Sequence, residues 1–254
     1  MKLSICTTNY NCARSLGQHL DSVFHELDGI DFEYVLIDNH SSDGSWTILQ
    51  DWSHRFSNLH VEQIRCTMGE GRQLAFVRSQ GEYVMVVDTD VVYSNLLRRF
   101  TEAYFENFSQ FSVQAMFCGI FPREQWAAIG GRRSLNTNED VDMWMRLQNL
   151  DSIRWYPLPL GQHFKEPWAE GSADFRSDRY PKREKLFRLL RREWDLMKTR
   201  NWVRLDLSKI IDENTIDIGI GPSPGRWPVN RTRRSRTERA VELAREIKAL
   251  ARSP

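Results

Sequence analysis

Short apolar runs alternate along the first 160 residues with segments in which apolar residues recur every three or four positions. The runs are Leu3 to Cys6, Phe32 to Ile37, Val61 to Ile64, Tyr83 to Val87, Phe111 to Phe121 and Ile153 to Leu158. Each is typical of a strand, and Tyr83 to Val87, which is apolar throughout, is typical of a strand that is buried on both faces. The helical segments begin near Ala13, Trp46, Leu74, Leu96, Pro122 and Glu139. This alternation predicts an α/β fold with a doubly wound, mostly parallel sheet.

The charge distribution divides the chain into two parts. Residues 1–180 hold 16 basic and 24 acidic residues, a net charge of −8, whereas residues 181–254 hold 19 and 10, a net charge of +9. We therefore expect a main α/β domain over residues 1–180 and a helical, basic C-terminal extension over residues 181–254.

Residues 182–202 of this extension combine helical spacing of apolar residues with many Lys and Arg. The apolar positions include Leu186, Phe187, Leu190 and Trp194. A basic amphipathic helix either lies on an anionic membrane surface or packs on its own domain and exposes its charges. Both interpretations stay open, and nucleic acid is not expected as a partner.

The remaining composition excludes several classes of protein. No run of about 18 apolar residues is present, so no membrane-spanning segment is predicted. The first ten residues lack the apolar core of a signal peptide, which favours a cytoplasmic protein, with peripheral membrane attachment allowed. The four cysteines form no C-x-x-C pair, so we predict neither a disulfide framework nor a zinc site.

Two carboxylates directly follow the most apolar run. Asp88 and Asp90 come after Tyr83 to Val87, at the end of the strand where ligands bind in open α/β sheets. Two hard oxygen ligands one residue apart suit an ion such as Mg²⁺ that also holds a diphosphate. The alternative is that both aspartates are solvated turn residues.

Polar loops follow other predicted strands as well. Asp38, at the end of the second strand, is placed to accept a hydrogen bond from a nucleobase N–H or a ribose hydroxyl group, although such residues also cap ordinary helices. Gly69-Glu70-Gly71-Arg72 opens a helix and offers backbone N–H groups and a guanidinium to a phosphate. An exposed Arg72 with no ligand is the alternative.

A third group of candidates lies between residues 136 and 163. Glu139 and Asp140 begin a helix, where acidic residues are also favoured by the helix dipole. Neighbouring helical side chains point about 100° apart, so one carboxylate is a candidate base and the other braces the helix. His163 follows a Gly-containing segment that we expect to be a loop, where it suits a metal or a phosphate.

The order of these motifs resembles the family 2 glycosyltransferases, which have the Rossmann-like GT-A fold. The resemblance covers roughly residues 3 to 165. The matching segments are Ser4-Ile5-Cys6-Thr7-Thr8-Asn9-Tyr10-Asn11, Asp38-Asn39-His40-Ser41-Ser42-Asp43-Gly44-Ser45, Gly81-Glu82-Tyr83 leading into Asp88-Thr89-Asp90, and Glu139-Asp140 with Arg146. Residues 181–254 match no family in this way.

The resemblance implies a role for each candidate residue. Thr8, Asp38 and Asn39 would hold the nucleoside, with Arg72 near the diphosphate. Asp88 would contact the ribose or a metal-bound water, and Asp90 would bind Mn²⁺ or Mg²⁺ directly, with His163 as a further metal ligand. Asp140 would be the general base, and Glu139 is the second candidate. The family often has an acidic residue where Asn39 stands, so this position bears on which nucleobase the protein selects.

These roles predict a metal-dependent, inverting glycosyltransferase that uses a UDP- or GDP-sugar. Its acceptor is unknown, and a glycan or a lipid-linked compound is possible. Two other functions suit the same residues: a nucleotidyltransferase of related fold, which would release pyrophosphate, and a non-catalytic module that binds a nucleotide sugar or a glycan. The products that are released distinguish these functions.

Overall fold

The computed structural model describes residues 2–163 together with Phe187, Leu190 and Trp194, which are helical. The boundary predicted at residue 180 and the rest of the basic extension lie outside the described residues. Among the described residues, no helix combines the length and the apolar character needed to span a membrane.

The described chain alternates strands and helices as predicted. In chain order the elements are β1 (Leu3–Asn9), α1 (Ala13–Glu26), β2 (Phe32–Asp38), α2 (Ser45–Arg55), β3 (Leu59–Gln63), α3 (Met68–Arg78), β4 (Tyr83–Val87), β5 (Val91–Tyr93), α4 (Leu96–Ala103), a π-helical turn (Tyr104–Phe108), β6 (Ser112–Met116), β7 (Cys118–Pro122), α5 (Arg123–Ala128), α6 (Glu139–Asn149), β8 (Ile153–Pro159) and β9 (Gly161–His163).

Seven strands form the central sheet, in the order β3-β2-β1-β4-β7-β6-β8. β1 to β4 are mutually parallel, β7 runs antiparallel to β4 and β6, and β8 is parallel to β6. The predicted mostly parallel sheet is therefore confirmed. In the β1–β2 pairing Asn9 lies opposite Asp38, so the polar loops that follow these strands leave the same edge of the sheet.

The sheet is covered on both faces, which accounts for its nearly continuous apolar strands. One core contains Ile5 and Met85 with buried residues of α1, α2 and α4. The other contains Cys6 and Val84 with buried residues of α3, α5 and α6. Neighbouring residues of a strand thus enter opposite cores, as the pleat of a strand requires.

Two predictions about strands are wrong. Phe111 to Phe121 is not one strand, because Phe117 adopts a left-handed conformation (φ 66°) and reverses the chain between β6 and β7. Both strands are buried, so the sequence there is largely apolar, and no Gly or Pro stands at the reversal itself, since Gly119 lies within β7. The segment around His163 is not a loop either. Gly161–His163 pairs antiparallel with Val91–Tyr93 in a separate two-stranded sheet.

Candidate active site

Asp88 and Asp90 follow the carboxyl end of β4, where the sequence places them. The side chain of Asp88 is 35% exposed, whereas Asp90 is buried. Asp88 also forms the start of a tight turn, since its carbonyl oxygen accepts a hydrogen bond from the Val91 N–H (3.1 Å). The turn brings the two carboxylates to the same part of the cleft.

His163 joins the two aspartates through the small sheet. β9 places His163 opposite Val91, the residue after Asp90. Its Nε2 lies 3.3 Å from Oδ1 of Asp90, and its ring stacks on Phe117 with ring centroids 4.9 Å apart. One ligand atom from each of Asp88, Asp90 and His163 lies within 4.8 Å of the others. Two carboxylates and an imidazole are a donor set that fits a divalent cation such as Mn²⁺.

Arg72 connects this group to α6. Its Nη2 lies 2.6 Å from Oδ1 of Asp88, and its Nη1 forms an ion pair with Oε1 of Glu139. Although burial opposes the charge, Glu139 and Asp88 raise the pKa of Arg72 above its ordinary value. Arg72 is therefore a buried cation held between two carboxylates, and the alternative that its side chain is exposed is wrong.

Arg132 is a second buried cation, which sequence reasoning missed. Its Nη1 lies 3.4 Å from Oε1 of Glu139, and its guanidinium lies over the ring of Trp126 at 5.3 Å. Burial and the neighbouring Arg72 lower the pKa of Arg132 to about 10, so it stays charged at neutral pH. Within the described residues its buried Nε has no hydrogen-bond partner. Glu139 is thus the carboxylate that offsets this charge.

Glu139 and Asp140 occupy different environments at the start of α6. Glu139 is 3% exposed and paired with Arg72 and Arg132, and burial raises the pKa of its carboxyl group against the effect of these cations. Asp140 is only partly buried, and its Oδ1 accepts a hydrogen bond from the Val141 N–H (2.7 Å). Of the two, Asp140 is the carboxylate that solvent, and hence a substrate, can reach.

The loop that carries Arg132 is fixed to α6 by Arg146. The Nη2 of Arg146 lies 2.7 Å from Oδ2 of the buried Asp142, one helical turn earlier. Its Nη1 donates hydrogen bonds to the carbonyl oxygens of Ile129 and Gly131, both at 2.6 Å. Arg146 therefore braces the scaffold that holds Arg132 near Glu139.

The start of α3 differs from the predicted phosphate loop. Thr67 caps the helix, and Gly69 and Gly71 lie within its first turn. Their N–H groups donate to the carbonyl oxygens of Leu135 and Thr67, both at 2.9 Å, and are not available to a phosphate. The glycines are needed for close packing: a Cβ on Gly71 would lie 2.5 Å from Thr8 Oγ1.

The predicted nucleoside residues meet at the ends of β1 and β2. Asp38 is 0% exposed, and its carboxylate accepts four hydrogen bonds of 2.6 to 3.0 Å from Asn9, Gln63 and two groups of Ser41. Thr8 and Asn39 remain partly exposed. In this structure Asp38 holds the loop in place, and the partly exposed Thr8 and Asn39 offer the accessible polar atoms.

Tyr93 and Phe117 are further residues that the sequence did not indicate. The Tyr93 hydroxyl group donates to the carbonyl oxygen of Phe117 (2.6 Å) and accepts from the Asp88 N–H (3.1 Å). Burial raises the pKa of Tyr93 well above its ordinary value, so it remains a neutral donor. These bonds connect the backbone of Asp88 to the residue on which His163 stacks. Only the folded chain brings the partners of these hydrogen bonds together, so no local sequence pattern predicts them.

Sequence comparison identifies one matching family and several relatives. A model of "Glycosyl transferase family 2" matches residues 4–154. The poly(ribitol-phosphate) beta-glucosyltransferase of Bacillus spizizenii is 29% identical over 150 residues, which cover 56% of this chain and 23% of the relative. The dolichol-phosphate mannosyltransferase of Pyrococcus furiosus is 28% identical over 95 residues, covering 36% and 26%. The chain thus spans about a quarter of the length of these relatives.

Solved structures share the fold. Residues 1–349 of S. aureus TarS in complex with UDP align with a TM-score of 0.54 and 17% identity, over 75% of this chain and 66% of that chain. The mannosyltransferase PcManGT from Pyrobaculum calidifontis, in complex with GDP-Man and Mn²⁺, aligns with a TM-score of 0.55 and 15% identity, over 76% and 64%. This likeness confirms the predicted GT-A fold.

Proposed function

Because this chain belongs to glycosyl transferase family 2, we propose that it transfers a sugar from a UDP- or GDP-sugar to an acceptor hydroxyl group, with inversion at the anomeric carbon. The names of its relatives and the UDP and GDP-Man complexes of its structural neighbours support this reaction class. The observation that carries the proposal is the convergence of Asp88, Asp90 and His163 at the end of β4.

Asp90 and His163 are the proposed direct ligands of Mn²⁺ or Mg²⁺, with Asp88 as a third ligand or as a contact to the ribose or a metal-bound water. Such a cation acts as a Lewis acid on the leaving diphosphate. Arg72 already pairs with one oxygen of Asp88, and it is the proposed contact to the diphosphate. Thr8 and Asn39 are proposed to contact the nucleoside, while Asp38 holds their loop in place.

Asp140 is the proposed general base. A base must approach within about 3 Å of the attacking hydroxyl group to accept its proton. Asp140 is accessible, whereas Glu139 is buried against Arg72 and Arg132, which supports Asp140 over Glu139. Glu139 is therefore proposed to hold the start of α6 and orient its neighbour.

The proposed acceptor is a glycan or a lipid-linked compound, and the proposed location is cytoplasmic with peripheral membrane contact. The division into a catalytic domain over 1–180 and a basic extension over 181–254 is also a proposal. Phe187, Leu190 and Trp194, which lie on one side of a helix by their spacing, are 70%, 48% and 56% exposed, and basic residues surround them in sequence. Sedimentation with anionic but not zwitterionic vesicles would support membrane contact, and binding to neither would contradict it.

Product analysis tests the proposed function. Purified protein is incubated with UDP- or GDP-sugars, Mn²⁺ and a panel of glycan and lipid-linked acceptors, and the released nucleotide is identified. Release of UDP or GDP with formation of a glycosylated product supports the transfer. In a parallel incubation with a nucleoside triphosphate and a sugar phosphate, release of pyrophosphate would indicate a nucleotidyltransferase instead. Donor binding without turnover on any acceptor would favour a binding module.

A further inference from the structure

Helix α1 presents a line of polar side chains to the segment that follows Asp88. Ser15, His19 and Ser22 are spaced by four and three residues, so they lie on the same face of the helix. They face the backbone of residues 89 to 93, which contains Asp90 and strand β5. Ser15 and His19 are completely buried. Polar side chains in such a position require partners.

Together, the three side chains contact alternate residues of the segment, Thr89, Val91 and Tyr93. The Ser15 hydroxyl group lies 3.2 Å from the carbonyl oxygens of both Thr89 and Cys12, and it can donate to either. The His19 Nδ1 lies 2.9 Å from the carbonyl oxygen of Val91. The Tyr93 N–H donates to Ser22 Oγ (3.0 Å). β5 pairs with β9 along its other edge. The helix therefore takes the place of a neighbouring strand and satisfies the outward backbone groups of β5.

The bonding pattern fixes the tautomer of the neutral His19 ring. A carbonyl oxygen can only accept, so Nδ1 carries the hydrogen, and Nε2 accepts from the hydroxyl group of Tyr34 at 2.8 Å. Burial lowers the pKa of His19 to about 4, which is consistent with a neutral ring. Tyr34 lies in β2, so the ring connects β2, α1 and β5 through two hydrogen bonds.

We infer that His19 is a positioning residue for the metal centre: it holds Val91, and through the β5–β9 pairing it keeps Asp90 and His163 directed at one cation. Val91 follows Asp90 in the chain and lies opposite His163 in the small sheet. A displacement of Val91 therefore moves both ligands. This inference rests on the proposed metal site, and His19 itself touches neither substrate nor metal.

The test compares variants of the full chain by two measurements. Mn²⁺ affinity is measured from the electron paramagnetic resonance signal of free Mn²⁺, with and without UDP. Hydrogen–deuterium exchange of the peptide that covers residues 88 to 93 is measured without metal. His19→Leu removes the donor to Val91, whereas His19→Asn keeps an amide donor near Nδ1. Val23→Ala, in the same helix and core, is the control for lost packing.

We expect His19→Leu to weaken Mn²⁺ binding about 10- to 100-fold, the range seen when groups that orient metal ligands are removed. Exchange in residues 88 to 93 should be faster in this variant. His19→Asn should recover most of the affinity, and Val23→Ala should leave it within about twofold of wild type. Ser15→Ala removes the hydroxyl group near the Thr89 carbonyl oxygen, a smaller change that should weaken Mn²⁺ binding several-fold. This variant provides the same test if His19→Leu does not fold.

Wild-type Mn²⁺ affinity in both His19→Leu and Ser15→Ala would overturn the inference, as would a loss no greater than that of Val23→Ala. Unchanged exchange in residues 88 to 93 would also overturn it, whether or not the protein binds metal. A wild-type chain that binds no Mn²⁺ would instead contradict the proposed function. Faster exchange in the His19 variant would then still support the role of His19 in holding β5.

Discussion

The Nε2 of His163 lies 3.3 Å from the Oδ1 of Asp90, because the antiparallel pairing of β5 and β9 places His163 opposite Val91. The two residues are far apart in sequence: Asp90 directly precedes β5 and His163 ends β9, and each of these strands has only three residues. A cation between them would be held by ligands from two chain segments, with Asp88 nearby. The β5–β9 pairing therefore determines where two of the proposed metal ligands lie relative to each other.

Substitution of Asp140 by Asn should abolish transfer and leave donor binding nearly unchanged. The side chain keeps its shape but loses its ability to accept the proton of the hydroxyl group, an effect typically worth about 10² to 10⁴ in rate. Donor affinity is measured by calorimetry and kcat by product formation. An Asp140→Asn variant with normal kcat would show that another group is the base.

Substitution of Glu139 by Gln should mainly reduce stability. It removes the carboxylate that offsets two buried guanidinium groups, Arg72 and Arg132. Loss of one partner of a buried ion pair typically costs about 3 to 5 kcal/mol of the free energy of unfolding, which urea denaturation measures. Glu62→Gln is the control, since Glu62 pairs with Arg78 at the surface (46% and 34% exposed) and should cost less than about 1 kcal/mol. Equal losses in the two variants would contradict the buried pairing.

The sequence was sufficient to predict the long elements and the edge of the sheet where the site lies. Runs such as Tyr83 to Val87 are buried on both faces, and parallel strands end at the same edge, so Asp38 and Asp88 could be assigned to one cleft. These signals are local and repeat over several residues. They do not depend on the exact packing of side chains.

Features that depend on tertiary packing could not be predicted in the same way. β5 and β9 are three residues long and are too short for a periodic pattern, so the sequence around His163 predicts a loop. The Arg132–Glu139 pair and the Tyr93–Phe117 hydrogen bond join residues whose proximity only the folded chain determines. Gly130 and Gly131, directly before Arg132, are typical of a helix end and give no sign of a buried cation beyond it.

Gly71 in α3 and Gly17 in α1 should respond oppositely to substitution by Ala. A Cβ on Gly71 would lie 2.7 Å from Thr8 Cβ and 3.0 Å from Cys66 Sγ, whereas a Cβ on Gly17 would meet nothing within 4 Å. We expect Gly71→Ala to cost about 1 to 3 kcal/mol of the free energy of unfolding because of overpacking. Gly17→Ala should add about 0.5 to 1 kcal/mol through its helix propensity. Stabilisation by Gly71→Ala in urea denaturation would contradict the close contact with Thr8.

The stability of the protein should fall at acid pH partly because of His19. Burial lowers its pKa from 6.5 to about 4, against the opposite effects of the bond to Val91 and the charges of Asp90 and Asp88. The unfolded chain therefore binds more protons between these values, and stability is lost as the pH falls below 6.5. By pH 5 the loss from this residue should be about 2 kcal/mol.

The His19→Asn variant isolates this contribution, because its side chain does not titrate. Its free energy of unfolding is measured in urea at pH 7 and at pH 5. The difference between these two values should be about 2 kcal/mol smaller in the variant than in the wild type. Identical changes in the two proteins would mean that His19 is not buried as a neutral ring.

The most direct test of the proposed metal centre is Mn²⁺ binding in the presence of UDP or GDP, followed by electron paramagnetic resonance of free Mn²⁺. We expect one Mn²⁺ per chain, a loss of at least about 100-fold in affinity for Asp90→Asn, and a loss of about 10-fold for His163→Gln. Asp51→Asn, at an exposed carboxylate of α2, should bind as the wild type does. Wild-type affinity in Asp90→Asn and His163→Gln would contradict the assignment of the cation to this site.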